Sequence, residues 1–165
     1  MYELEIKNTG YKNLFLNRKR LNVAVLMGID FGEIKIGLSI SDAEKKVAFP
    51  FEVIKREGGS YCLNRLKKII EDQKINIEAF VVGVPYKNNG TVGDQGRKVL
   101  DFINSLRNYF DVKVIEWDER YTSSIAERTL ISGDVSRRRR RDLIDKISAQ
   151  IILQSYLDYI NSLKR

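Results

Sequence analysis

Four acidic positions could do chemistry together: Asp30, the adjacent Asp118 and Glu119, and Asp145. Asp30 closes the apolar run Val23 to Ile29, and Asp118 closes Val112 to Trp117; both runs read as buried strands. Ligands of open α/β sheets bind beyond the carboxyl ends of parallel strands, so acids placed there emerge on one sheet edge. Asp145 lies inside the apolar pattern of a last helix, flanked by Ile144 and Ile147. A carboxylate there is costly unless it is paired or binds a metal. Three acids meeting at one point repel, and with oxygen as the only donor atom the cation that relieves them is expected to be Mg2+ or Mn2+. Two such ions about 4 Å apart activate water and stabilise the leaving oxygen of a phosphodiester. A turn or cap role for each acid is the bland alternative. Neighbouring strand residues point to opposite faces, so Asp118 and Glu119 both aim inward only if the strand has already ended. Which of the two serves the site stays open at this level.

The composition supports that chemistry by exclusion. The 165 residues contain no His and one Cys, Cys62. Ser-His-Asp and Cys-His pairs, His-containing zinc sites and an intrachain disulfide are therefore impossible within the chain. Cys62 reads as a small, semi-buried apolar residue in a chain suited to a reducing compartment. Lys and Arg number 29 against 22 Asp and Glu, a net charge of +7 that favours a polyanionic partner such as nucleic acid. The longest nearly unbroken apolar stretch, Val23 to Ile29, falls far short of the roughly 18 to 20 residues that span a bilayer. The first 20 residues lack the pattern of a secretory signal. A cytoplasmic protein with no membrane partner is expected.

The elements that must position the acids follow from hydrophobic periodicity. After the first strand, Ile34, Ile36, Leu38 and Ile40 alternate with polar or small residues, and Val47, Phe49, Phe51 and Val53 do the same. Two half-covered antiparallel strands are predicted. Leu63, Leu66, Ile69 and Ile70 predict a helix behind the candidate N-cap Ser60, Ala79 to Val84 a fourth strand, and Val99, Phe102, Ile103 and Leu106 a second helix. Beyond the fifth strand, a short helix is expected over Ala126 to Ile131 and a long one with Leu143, Ile147, Ile151, Gln154 and Leu157 on its face. The fold class is α/β: a mixed five-stranded sheet, a three-strand antiparallel meander plus two parallel strands, flanked by helices. Strands one, four and five are expected to be buried and parallel. Residues 1–22 show no clear periodicity and read as an N-terminal extension to one domain, residues 23–165.

Four blocks in order resemble the YqgF-type nucleases, also called RuvX or Holliday junction resolvases, of the RNase H-like superfamily. They are Met27-Gly28-Ile29-Asp30-Phe31-Gly32 with Gly37 and Ser39; Val81-Val82-Gly83-Val84-Pro85 with Asn89-Gly90-Thr91 and Gly93; Asp118-Glu119-Arg120-Tyr121-Thr122-Ser123; and Asp145-Lys146-Ile147-Ser148-Ala149 with Gln154-Ser155-Tyr156-Leu157. The resemblance spans residues 23 to 160. It implies an RNase H-like fold and a metal-dependent nuclease site carried by Asp30, the Asp118-Glu119 pair and Asp145. Ser148 stands where the family usually has Ala, and Tyr121 where an aliphatic residue is common.

Basic residues near these blocks are candidate nucleic-acid contacts. Arg137, Arg138, Arg139, Arg140 and Arg141 run consecutively just before the expected last helix and could grip a phosphate backbone. Arg120 either binds substrate or pairs with the neighbouring acids. Asp142 either assists the metal or complements the helix dipole. Gly90-Thr91-Val92-Gly93 opens the second helix, where Thr91 and free N–H groups could hold a phosphate or form a plain turn. No Gly-Lys-Ser/Thr follows, so this is not a P-loop. By resemblance the substrate is the precursor of 16S ribosomal RNA, trimmed at its 5′ end by a monomer and in contact with ribosomal particles, or branched DNA resolved by a homodimer. The competing classes are a noncatalytic ribosome-assembly factor and an actin-like or sugar-kinase nucleotide module, the latter disfavoured because it needs two such domains.

Overall fold

A computed structural model of the protein describes residues 23–58, 60–121 and 137–164. The chain order is β1 (Val25–Phe31), β2 (Lys35–Ser41), β3 (Ala48–Lys55), α1 (Tyr61–Asp72), β4 (Ile77–Val84), α2 (Asp94–Tyr109), β5 (Lys113–Asp118), a 3-10 turn (Glu119–Tyr121) and α3 (Arg137–Ser162). The sheet order is β3-β2-β1-β4-β5. β1, β2 and β3 pair antiparallel, while β1–β4 and β4–β5 pair parallel. This is the mixed five-stranded sheet expected from the sequence.

Alternation within the strands divides the core in two. Met27, Ile29 and Phe31 of β1, Ile36 and Leu38 of β2, and Phe80, Val82 and Val84 of β4 pack under α1 and α2. Leu26, Ala79 and Val81 point the other way, to Ile152, Leu153 and Leu157 of α3. The second face includes small residues at its closest approach to α3, Gly28, Ser39 and Gly83. A Cβ at Gly28 would collide with Ser39 Oγ and lie 2.7 Å from Leu153 Cβ and 2.9 Å from the Ala149 carbonyl oxygen. The helix therefore sits close enough for the buried Ser39 hydroxyl to donate to that carbonyl at 2.7 Å. Gln150 and Gln154 fasten α3 to the start of β3: the Ala48 N–H donates to Gln154 Oε1 at 2.8 Å and Gln150 Nε2 to the Ala48 carbonyl at 2.8 Å.

Five expectations need correction. β1 starts two residues later than read and runs through Asp30 to Phe31, so Asp30 is a strand residue paired with Gly37. β2 is not half-covered, because α3 buries its Gly37, Ser39 and Ser41 side as completely as the opposite side. β5 is an edge strand in which only Val114 is buried, since it has a single neighbour. The arginines 137–141 form the start of α3 instead of preceding it, in keeping with the good helix propensity of Arg. Among the described side chains of α3 the buried stripe is Ala149, Ile152, Leu153 and Leu157, with Ile147 and Ile151 only half-buried, and the side chain of Leu143 lies outside them. The short helix expected over Ala126 to Ile131, and residues 1–22, lie outside the described residues. Among the described residues no helix is long and apolar enough to cross a membrane.

Candidate active site

Asp30 and Glu119 are brought together on the α3 face of the sheet, at the carboxyl ends of parallel strands. Asp30 pairs with Gly37 of β2, and continuing the Ile29–Val82 register places it beside Gly83 of β4. Both neighbours are glycines, so neither puts a side chain of its own beside Asp30. Glu119 reaches into the same space. A Cβ at Gly83 would strike Glu119 Oε1, lie 2.8 Å from Glu119 Cγ and 2.5 Å from Ile152 Cδ1. The missing side chain of Gly83 is the room that Glu119 and α3 occupy.

Alternation places Asp118 and Glu119 on different sides of the sheet. Trp117 is on the α3 face, where its indole Nε1 donates to Ser155 Oγ at 3.2 Å and its ring meets Tyr156 at 5.4 Å. Asp118 ends β5 opposite Val84, whose side chain belongs to the other face. The chain then enters the 3-10 turn, and Glu119 returns to the side of Trp117. Asp118 is engaged by Arg120 instead. Its Oδ1 accepts from the Arg120 backbone N–H at 3.0 Å and from Nε at 3.1 Å, and its Oδ2 accepts from Nε at 2.9 Å and Nη2 at 2.6 Å. This fork holds the Asp118 carboxyl below the usual carboxylate range.

The electrostatics of Glu119 run the other way. Burial, followed by the charges of Asp30 and Asp118, pushes its carboxyl up to about 7. A half-buried acid strained by two like charges has the donor chemistry of a divalent-cation site, and Asp30 and Glu119 fit such an ion with oxygen ligands. Among the described residues no three Asp, Glu, Cys or His side chains form a complete metal cage. The third expected acid, Asp145, is in α3, one turn before Ala149, whose carbonyl is fixed by Ser39. Its side chain, and those of Asp142 and the arginines 137–141, lie outside the described residues.

Two further parts border the acids. Gln95 in the first turn of α2 donates from Nε2 to the Phe31 carbonyl at 3.2 Å, tying that helix to the residue after Asp30. The β4–α2 loop is anchored by Arg120, whose Nη1 donates to the Lys87 carbonyl at 3.4 Å. Within the loop the Thr91 hydroxyl donates to Asn89 Oδ1 at 2.7 Å, so Thr91 first serves to close the turn. Sequence reasoning missed Gln95 and Lys87 because each is a single polar residue whose meaning depends on contacts 30 or more positions away.

The chain matches the family described as RuvX, Holliday junction resolvase, over residues 24–159. It belongs to that family. A Desulforudis audaxviator protein named "Putative pre-16S rRNA nuclease" is 42% identical over 133 residues, covering 81% of this chain and 93% of the relative. One from Bacillus licheniformis with the same name is 43% identical over 139 residues, covering 83% and 99%. Membership of the RuvX family makes the protein a nuclease, a hydrolase of phosphodiester bonds. Among solved structures, T. thermophilus RuvC with a Holliday junction substrate aligns at a TM-score of 0.44 and 16% identity over 78% of this chain and 91% of that one. The fowlpox virus Holliday junction resolvase aligns at 0.45 and 15%, over 82% and 99%.

Proposed function

We propose that the protein is a Mg2+- or Mn2+-dependent nuclease that trims the 5′ end of the 16S ribosomal RNA precursor in the cytoplasm, in contact with ribosomal particles. The observation that carries the metal site is the convergence of Asp30 and the half-buried Glu119 at the ends of parallel strands, under a helix that bears Asp145. The substrate reading leans on the relatives from Desulforudis audaxviator and Bacillus licheniformis, both named pre-16S rRNA nucleases. Asp30, Glu119 and Asp145 hold the cation, which when bound supplies an acidified water and neutralises charge on the phosphodiester. Gly83 leaves the room that the Glu119 side chain fills, and Gly37 adds no side chain beside Asp30. The α3 helix walls the site on one side, and the arginines 137–141 at its start supply phosphate contacts. The catalytic domain is residues 23–165, with residues 1–22 an extension.

Branched DNA is the second reading, favoured by the description of the family model; a homodimer presenting two sites would suit a four-way junction. The deciding experiment gives wild type and Asp30→Asn an rRNA precursor and a four-way junction, each with Mg2+, Mn2+ or EDTA. Cutting of the precursor by wild type with metal, reduced at least about 100-fold in the variant with binding retained, is expected. Cutting of the junction alone would replace the substrate. An Asp30→Asn rate equal to wild type would remove the metal site.

A further inference from the structure

Asp118 takes no part in the acid pair, and every hydrogen bond described above to its carboxylate comes from Arg120. The same guanidinium donates to the Lys87 carbonyl and stands 5.8 Å from the centre of the Tyr86 ring. It thereby joins the residue next to Glu119 to the root of the β4–α2 loop. That loop is already closed on itself. Tyr86 bridges to Val92, the Lys87 N–H donates to the Thr91 carbonyl at 2.9 Å, the Gly90 N–H donates to the Lys87 carbonyl at 2.8 Å, and Gly90 takes a φ of +79° to make the turn. Lys87 is exposed and forms no ion pair among the described residues. A preformed loop that carries an unneutralised cation is thus held at one point, beside the acids.

We propose that Asp118 is a positioning residue and not a metal ligand: it aims Arg120, Arg120 holds the Tyr86–Val92 loop at the mouth of the site, and Lys87 on that loop takes a backbone phosphate of the substrate strand beside the one that is cut. This rests on the nuclease reading. A merely structural ion pair of two partly exposed groups would matter little anywhere, whereas a clamp changes how the substrate is held and leaves the metal alone.

The test compares Asp118→Ala, Arg120→Gln, their double variant, Lys87→Gln and Glu119→Gln. Nucleic-acid binding is measured in EDTA at several salt concentrations, Mn2+ binding by calorimetry, and cleavage as separate kcat and KM. Asp118→Ala is expected to weaken nucleic-acid binding and raise KM about 10-fold, with kcat and Mn2+ affinity within about twofold of wild type. The double variant should bind no worse than either single variant, because one unit has been removed. Lys87→Gln should reduce the slope of log affinity against log salt by about one. Loss of Mn2+ binding and kcat in Asp118→Ala, as expected for Glu119→Gln, would make Asp118 a ligand and overturn the proposal. So would unchanged binding and salt slope across Asp118→Ala, Arg120→Gln and Lys87→Gln. If wild type cuts neither substrate, the nuclease reading fails while the binding and salt-slope arm still decides the clamp.

Discussion

Beneath α1 and α2 the sheet presents Met27, Ile29, Leu38, Phe80 and Val82, all fully buried, whereas beneath α3 the same strands present Gly28, Gly37, Ser39, Ser41 and Gly83. The first face gains its cohesion from side-chain volume removed from water. The second keeps such volume at Leu26 and Val81 but gives it up at Gly28, Ser39 and Gly83, so that a helix lies close enough for a strand hydroxyl to bond a helix carbonyl. The acids are on the second face. Placement there depends on clearances of a few tenths of an ångström, and cohesion on the first depends on filled volume.

Substitutions can separate these two roles, beginning with the largest expected effect. Phe80 is wholly buried, edge to face with Phe110 at 5.2 Å. Phe80→Ala should lower unfolding free energy by about 3 to 5 kcal/mol in urea melts while leaving activity per folded molecule near wild type. A large fall in specific activity would show that the two faces are not separable.

On the site face, Glu119 works against folding whenever it is ionised. Its folded value of about 7 lies above the ordinary 4.5, so its unfavourable contribution is absent below pH 4.5, grows as pH rises to 7, and is complete above that. The difference amounts to about 3 kcal/mol. Glu119→Gln is thus expected to stabilise the metal-free protein at pH 8 by up to that amount and to be near neutral at pH 4. Urea melts at the two pH values check it, and equal stability of the two proteins at pH 8 would contradict the raised value.

Gly28→Ala adds a single methyl group against Ser39 Oγ, Leu153 and the Ala149 carbonyl. A cost of about 1 to 3 kcal/mol is expected from overpacking, together with a fall in kcat, because α3 must move away from the strand. Retention of full activity and stability would mean that the close approach is not needed. Smallest is Ser39→Ala, which removes the 2.7 Å bond to the Ala149 carbonyl and should cost about 1 kcal/mol. Thermal or chemical melts read it directly.

Much of this was legible in the chain. β1 and β4 announce themselves as short runs apolar on both faces because each lies between two neighbours and two helical layers. Asp30 stood out because an acid interrupts such a run near its end. Other features were opaque for a physical reason. The half-covered reading of β2 followed from counting Gly37, Ser39 and Ser41 as solvent-facing, since small and polar residues beneath a close-packed helix look the same in sequence as exposed ones. The buried face of α3 was misread for the complementary reason: Ala149 is buried by what it touches, Gly28 and Ser39, and not by its own hydrophobicity.

By itself the sequence determined the layers of the fold and the strand order, because periodicity is a local, countable property; the absence of His and paired Cys only removed other chemistries, and the nuclease class came from the resemblance of four motif blocks in order. The sequence could not say which of Asp118 and Glu119 faces α3. That choice depends on where β5 stops, on which face of the sheet α3 covers, and on the vacancy that Gly83 leaves for a side chain 36 positions later. Each is a relation between elements distant in the chain, and only packing in three dimensions decides it.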